Sequence, residues 1–347
     1  MANLNFELPA HVHGKKGAVR GTYEYYGFLK AFLENLPDEL DVKRIYPEGI
    51  EVREPVETWS DDFSIAISGV PSMVNEFSAG SFMETHYHSQ FDNDSYYDKD
   101  VYLFNHKLFG LLVMAFDELS VAPVNLKRLF QAVRRSVKPV TGKEDQEGLR
   151  RLMDRLDEAE IMGDRLYRRV TAVNRREEQI SRGERMNLQR RLLRLFRKGQ
   201  DSFVRLDWKD SVLFPQEAVQ NNLRYLQKAE ECLKQMDGEG ALKAIYQIDN
   251  NSYAFQFDEE VFLHFTEYVL TQEKDRLQWG AGRIVHHENL FGVVAGLRNK
   301  VKHGQTDFTE ERNILKAVEE KQQICYDDDI RYMVQAVDVM IDEMKKA

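Results

Sequence analysis

Cysteine is nearly absent from this 347-residue chain. Cys232 and Cys325 are too few for a disulfide framework and lack the C-x-x-C spacing of a zinc or redox pair, so both read as buried structural thiols. Proline is scarce and unevenly placed. Seven of the eight prolines fall before residue 140 and only Pro215 lies beyond, which predicts short elements joined by turns first and long helices afterwards. No apolar run approaches the roughly eighteen residues of a membrane span, and no charged-then-apolar leader opens the chain. The expectation is a cytoplasmic protein without membrane contact. Basic excess is also missing. Lys and Arg number 48 against 58 Asp and Glu, a net charge of −10, and binding to nucleic acid needs a clustered basic surface. No nucleic-acid partner is expected.

Apolar content, at 42%, suffices for a sizeable core. The proline asymmetry and a change of apolar period place a boundary near Pro139-Val140-Thr141-Gly142, giving residues 1–139 and 140–347 as two domains. In the first, Asn3–Leu8 reads as a strand, Gly21–Asn35 as a helix and Lys43–Val52 as an extended segment. Phe63–Ile67 reads as a short helix, Val70–Phe77 as a buried strand, and Asp100–Leu119 as a helix with Leu103, Leu108, Leu111, Leu112 and Phe116 facing the core. This alternation predicts α/β packing.

Beyond the boundary the fold class changes to a mainly helical bundle. Leu149, Leu152, Leu156, Ala159, Leu166, Val170 and Val173 form one stripe at helical spacing, and Leu188, Leu192, Leu195 and Phe196 a second. Residues 147–198 carry fifteen basic and nine acidic side chains. With almost no interleaved aromatics, they read as solvated helices laced by pairs such as Asp164 with Arg168 and Glu178 with Arg182. Ala218–Met236, Glu259–Thr271, Glu288–Val301 and Phe308–Lys346 continue the helical pattern, with Gly238, Gly280, Gly282 and Gly304 as breaks and Met333, Met340 and Met344 in a core stripe. His286, His287 and His303 lack H-E-x-x-H spacing and read as surface or cap histidines.

The stretch from Ser68 to Asp92 carries the most chemistry. Gly69-Val70-Pro71 opens a strand, Tyr87-His88-Ser89 follows it, Trp59-Ser60-Asp61-Asp62-Phe63 precedes it, and Asn5-Phe6-Glu7 lies further upstream. In this order the segments resemble the di-zinc exopeptidase family that includes glutamate carboxypeptidase II and the transferrin receptor, over about residues 3–135. The resemblance implies zinc, with His88 a ligand of one metal and Glu7, in place of the usual aspartate, a ligand of the other. It implies Tyr87 as the residue holding substrate and oxyanion, and Asp61 and Asp62 as substrate-side polar groups. It further implies a helical dimerisation region after residue 139.

The family's His-x-Asp, whose aspartate bridges the metals, occurs nowhere here, and no Glu-Glu pair precedes Glu7 to supply the general base. The resemblance therefore implies the C-terminal portion of a zinc aminopeptidase or carboxypeptidase, inactive as this chain alone, with zinc weakly held or absent. The partner would be a peptide or an upstream peptidase segment, and the chain a homodimer. The two other readings are a non-catalytic, receptor-like binding and dimerisation protein, and a helical scaffold.

Overall fold

A computed structural model describes residues 2–11, 14–77, 81–273 and 279–346. The chain is mostly helical with one small mixed sheet, so a partial α/β unit and a helical region are both present. Two compact units arise. The first comprises Met1–Ala132, Glu158–Asp201 and Met340–Ala347, and the second Val133–Asp157 and Ser202–Val339.

In the first unit the elements run β1 (Asn3–Asn5), β2 (Gly17–Gly21), α1 (Tyr26–Glu34), α2 (Val42–Ile45), β3 (Ile50–Arg53), α3 (Asp61–Ile67), β4 (Ser72–Phe77), α4 (Ser81–Thr85) and α5 (Lys99–Asp117). Next come α6 (Leu126–Ser136), α7 (Gln146–Asn174) and α8 (Arg182–Phe203), of which α6 and α7 give their far parts to the second unit. The strand order is β1-β4-β2-β3. β1 runs parallel to β4 with Asn5 opposite Val74, β2 is antiparallel to β4, and β3 is parallel to β2. β1 therefore forms one edge of the sheet.

β2, missed by periodicity, is buried along its whole length. Its sequence GAVRG is short, glycine-ended and charged, and tertiary packing overrides its weak propensity. Gly17 is required there, because a Cβ would sit 2.8 Å from the ring of Tyr46. Arg20, 9% exposed, is sustained by Glu76, to which its Nε and Nη2 donate at 2.6 and 2.8 Å. Glu76 also accepts from Arg53 at 3.1 Å, so one carboxylate joins three strands.

Lys43–Val52 is not extended throughout: Val42–Ile45 is a helical turn and only Ile50–Arg53 enters the sheet. α5 starts at Asp98, whose carboxylate accepts from the N–H groups of Asp100 and Val101. It buries Val101, Phe104, Leu108, Phe109 and Leu112, while Leu103, expected inside, is 43% exposed. Leu108 and Leu112 are thus buried as expected and Leu111 and Phe116 half-buried, so Leu103 is the one exposed residue of the five expected inside.

The second unit contains a two-residue antiparallel hairpin, β5 (Arg205–Leu206) with β6 (Val212–Leu213), so this region is not helical throughout. It continues with α9 (Glu217–Lys234), α10 (Gly238–Ile245), α11 (Glu259–Leu270), α12 (Phe291–Lys302) and most of α13 (Thr309–Lys345). Leu226, Leu233, Ala241, Ile245, Val294, Leu297 and Leu315 pack into one core. Gly238 is the first residue of α10 rather than a break. Asp237 caps that helix through Gly240 N–H at 2.8 Å, and a Cβ on Gly238 would lie 2.5 Å from Val301. Met333, Met340 and Met344 are buried as expected. Cys232 and Cys325 are free and only half-buried. Asp164 pairs with Arg168 at 2.7 Å, but Glu178 pairs with Arg169. Among the described residues, no helix is long and apolar enough to cross a membrane.

Candidate functional site

Glu7 leaves β1 at the sheet edge and is tied to β4 by a side chain. Asn75, 7% exposed, accepts from the Glu7 N–H at 2.7 Å and donates to the Glu7 carbonyl at 2.6 Å. Its amide thus extends the β1–β4 ladder past the last backbone pair, and this fixes where the Glu7 carboxylate stands.

That carboxylate is already engaged. Oε1 accepts from Asn5 Nδ2 at 2.6 Å and from Ser60 Oγ at 2.7 Å, while Asn5 Nδ2 also lies 3.0 Å from Ser60 Oγ. Ser60 occupies the N-cap position of α3 but makes no side-chain cap bond. Its hydroxyl proton is committed to Glu7. One residue on, Asp61 is exposed, and Asp62 is fully buried, with no hydrogen bond to either carboxylate oxygen among the described residues. Burial raises the Asp62 pKa, and the charge of Glu7 adds to that shift against Ser60 and Asn5.

Tyr87 belongs to the same neighbourhood. Its phenol is pushed up, first by burial and then by the charges of Glu7, Asp61 and Asp92. His88 follows α4 with φ of 53°, a left-handed conformation uncommon outside glycine. It is exposed, and its ring stacks on that of Tyr87 with centroids 3.8 Å apart and planes 18° apart. The structure therefore gathers Glu7, Asp61, Asp62 and Tyr87 around Ser60 and Asn5. His88 sits at the margin, on the outer side of the tyrosine.

Zinc requires three or four converging donors. Among the described residues no three His, Cys, Asp or Glu side chains form a group that could hold a metal ion. Of the two residues that the resemblance implies as ligands, Glu7 is already bonded to an amide and a hydroxyl, and His88 is an exposed imidazole on the far side of Tyr87. These residues do not fit a di-zinc centre. Chemically, the cluster is rich in acceptors and suits an N–H or ammonium group better than an anion.

A cleft of about 470 Å³ lies between β1, the edge strand, and the last turns of α5, lined by Ala2, Leu4, Val113, Met114, Phe116, Asp117 and Glu118. Val113 and Met114 are 54% and 63% exposed. Sequence reasoning missed Asn75 and Ser60. A lone asparagine within an apolar strand is a signal that could have found Asn75, because a buried amide needs partners.

His303 is the exposed cap residue expected, whereas His286 and His287 are not on the surface. His287 is a half-buried hydrogen-bonded side chain: Nε2 lies 2.7 Å from Asn250 Oδ1, and burial lowers its pKa to about 4. His286 lies 2.8 Å from Asp329, whereas His303 is exposed at the end of α12 and bonds the Asn299 carbonyl.

Compared with protein-family models and with curated proteins, the chain matches none.

Proposed function

We propose that residues 3–135 are the C-terminal part of a di-zinc exopeptidase-like domain that, as this chain, receives another segment or chain along β1 and does not hydrolyse peptides. The observation that carries this reading is the cleft between the open β1 edge and the exposed Val113 and Met114 of α5. An unpaired strand edge beside an apolar face is a surface that proteins cover. The order of the Asn5-Phe6-Glu7, Ser60-Asp61-Asp62 and Tyr87-His88 segments supports the family likeness. The bonded state of Glu7 supports the absence of turnover by this chain, because no base or bridging carboxylate is assembled beside it. The covering element is a peptidase segment carrying the remaining ligands, or a second copy in a two-fold dimer.

Zinc content after dialysis, measured with turnover of aminoacyl anilides, tests the first half of this reading. Less than one zinc per chain and no turnover are expected. Two retained zinc ions with turnover abolished by His88→Ala would overturn it. Light scattering tests the second half. Self-association weakened by Met114→Asp is expected of the chain alone, and a concentration-independent mass near 40.6 kDa would leave the edge without its dimer role.

A further inference from the structure

In the second unit the β5–β6 turn, α9 and the segment after α10 enclose a cavity of about 210 Å³. The turn builds one wall. Asp207 Oδ1 accepts from the N–H groups of Lys209 at 2.9 Å and Ser211 at 2.8 Å, an Asx arrangement that holds the Lys209 backbone at the cavity. Lys209 Nζ donates to the carbonyl and the Oε1 of Gln247 at 3.3 and 2.6 Å, which leaves one of its three N–H groups for a ligand. Trp208 is fixed by its indole N–H, which donates to the His286 carbonyl at 2.8 Å.

α9 forms the opposite wall. Ala218, Asn221, Asn222 and Tyr225 recur at helical spacing on the face that lines the cavity, with Arg224 beside them. Arg224 donates from Nη2 to Asn221 at 2.5 Å, so a guanidinium with further N–H groups stands at the rim. The third contributor is Asp249, 7% exposed and in a left-handed conformation with φ of 45°. Its Oδ2 accepts from Asn222 at 3.0 Å and from the Glu288 N–H at 2.7 Å. Among the described residues no hydrogen bond is made to Oδ1.

Two cations and two carboxylates line one small space, an arrangement that a packed core does not need and that a ligand of mixed charge does. We propose that this cavity binds a small zwitterion of the α-amino-acid class, its carboxylate held by Lys209 and Arg224 and its ammonium group by Asp249 and Asp207. Size agrees with this. At about 30 Å³ per water molecule of liquid volume, the space suits a ligand of on the order of seven to ten non-hydrogen atoms, the range of free amino acids and short of a tripeptide. Electrostatics agree as well. Burial raises the Asp249 carboxyl to about 7 and lowers the Lys209 ammonium, the latter against the charges of Asp207 and Asp249, and a ligand carrying both charges adds a partner to each. A dianion such as phosphate would meet two carboxylates, and an apolar ligand would strip water from four ionisable groups.

The test is titration calorimetry of the full chain with each free L-α-amino acid. The matched N-acetyl derivatives, decarboxylated amines and inorganic phosphate serve as comparison probes. At least one amino acid is expected to bind saturably, with both of its blocked or truncated analogues weaker by about tenfold or more. Lys209→Met and Arg224→Gln, at exposed positions, are expected to weaken binding by a similar factor without changing the melting temperature of the free protein. Asp249→Asn is expected to abolish discrimination against the amine-blocked analogue. The proposal is overturned if no amino acid saturates, if N-acetyl derivatives or phosphate bind equally well, or if both surface variants bind as the parent chain does.

Discussion

Two polar clusters of similar composition are built differently in the two units. Around Glu7, the amide, hydroxyl and carboxylates sit at a sheet edge, half-buried, with no hydrogen bond to the Asp62 carboxylate among the described residues. Around Asn251, inside a helical core, amides, backbone groups and carboxylates satisfy one another, with Asp249 Oδ1 at the cavity as the exception among the described residues. Asn251 Nδ2 donates to the carbonyls of Ile248 and Glu288, its Oδ1 accepts from the Leu290 N–H, and Gln322 joins Asn222 to Glu288. A closed network specifies one packing of its elements, whereas an open one keeps acceptors available to whatever approaches.

The contrast breaks most sharply at Asn251. Asn251→Ala removes the partner of the buried Leu290 N–H and the amide bond to the Glu288 carbonyl, while the Ile248 carbonyl keeps the backbone N–H of that position. It is expected to cost about 3 kcal/mol, read from urea unfolding. Next, Glu76→Ala removes the two-oxygen partner of Arg20, whose side chain is 10% exposed and keeps the Pro55 carbonyl and Glu57, and a loss of roughly 2–3 kcal/mol is expected. An unchanged urea midpoint would mean that water replaces the carboxylate.

A third experiment compares the units by pH. Burial raises Glu24 of the first unit to about 8 and Asp249 of the second to about 7. A carboxyl whose pKa is higher when folded binds its proton more tightly in the native state. Stability from this source is therefore full below the unfolded value near 4.5 and is lost as pH rises through 7 to 8. Unfolding free energy is expected to fall steadily between pH 5 and pH 9, and Glu24→Gln and Asp249→Asn should each flatten part of that slope. A profile unchanged in both variants would assign the slope to other groups.

At the open cluster the effects shrink. Ser60→Ala is expected to cost about 1 kcal/mol, the worth of one hydrogen bond. His88→Ala, at an exposed position, should stay within about 0.5 kcal/mol of the parent by thermal melting. A larger loss at His88 than at Ser60 would reverse the ranking of the two.

The long helices were legible because leucine and valine stripes at three- and four-residue steps survive any packing: Leu152, Leu156, Val170, Leu192 and Phe196 are all buried. β1, α3 and β4 were legible from their flanking turns, and Gly69, with φ of 105°, marks the entry to β4. β2 was not legible, since a five-residue strand with an arginine inside owes its burial to Glu76, 56 residues away. α10 was hidden by two glycines that sequence logic reads as breaks, although one of them makes room for Val301. In the site, Tyr87 with Asp61 and Glu7 came together from a motif spread over more than eighty residues. The role of Ser60 was invisible, because a serine before a helix announces a cap and its hydroxyl went elsewhere.

Asn75 leaves its mark on which changes the chain can accept. A three-residue strand has little to hold its alignment, and here one side-chain amide grips both backbone groups of Glu7. The grip works as a ruler: it measures the number of residues between Asn5 and Glu7 and ignores what they are. Exchange of Phe6 for another side chain leaves the measurement intact. One inserted residue would bring the wrong backbone unit to the amide and turn Glu7 to the opposite face. The segment is therefore strict in length, because an insertion shifts every backbone unit that the amide grips, whereas an exchange of side chain loses only that side chain's own contacts, such as the stacking of Phe6 on Phe109.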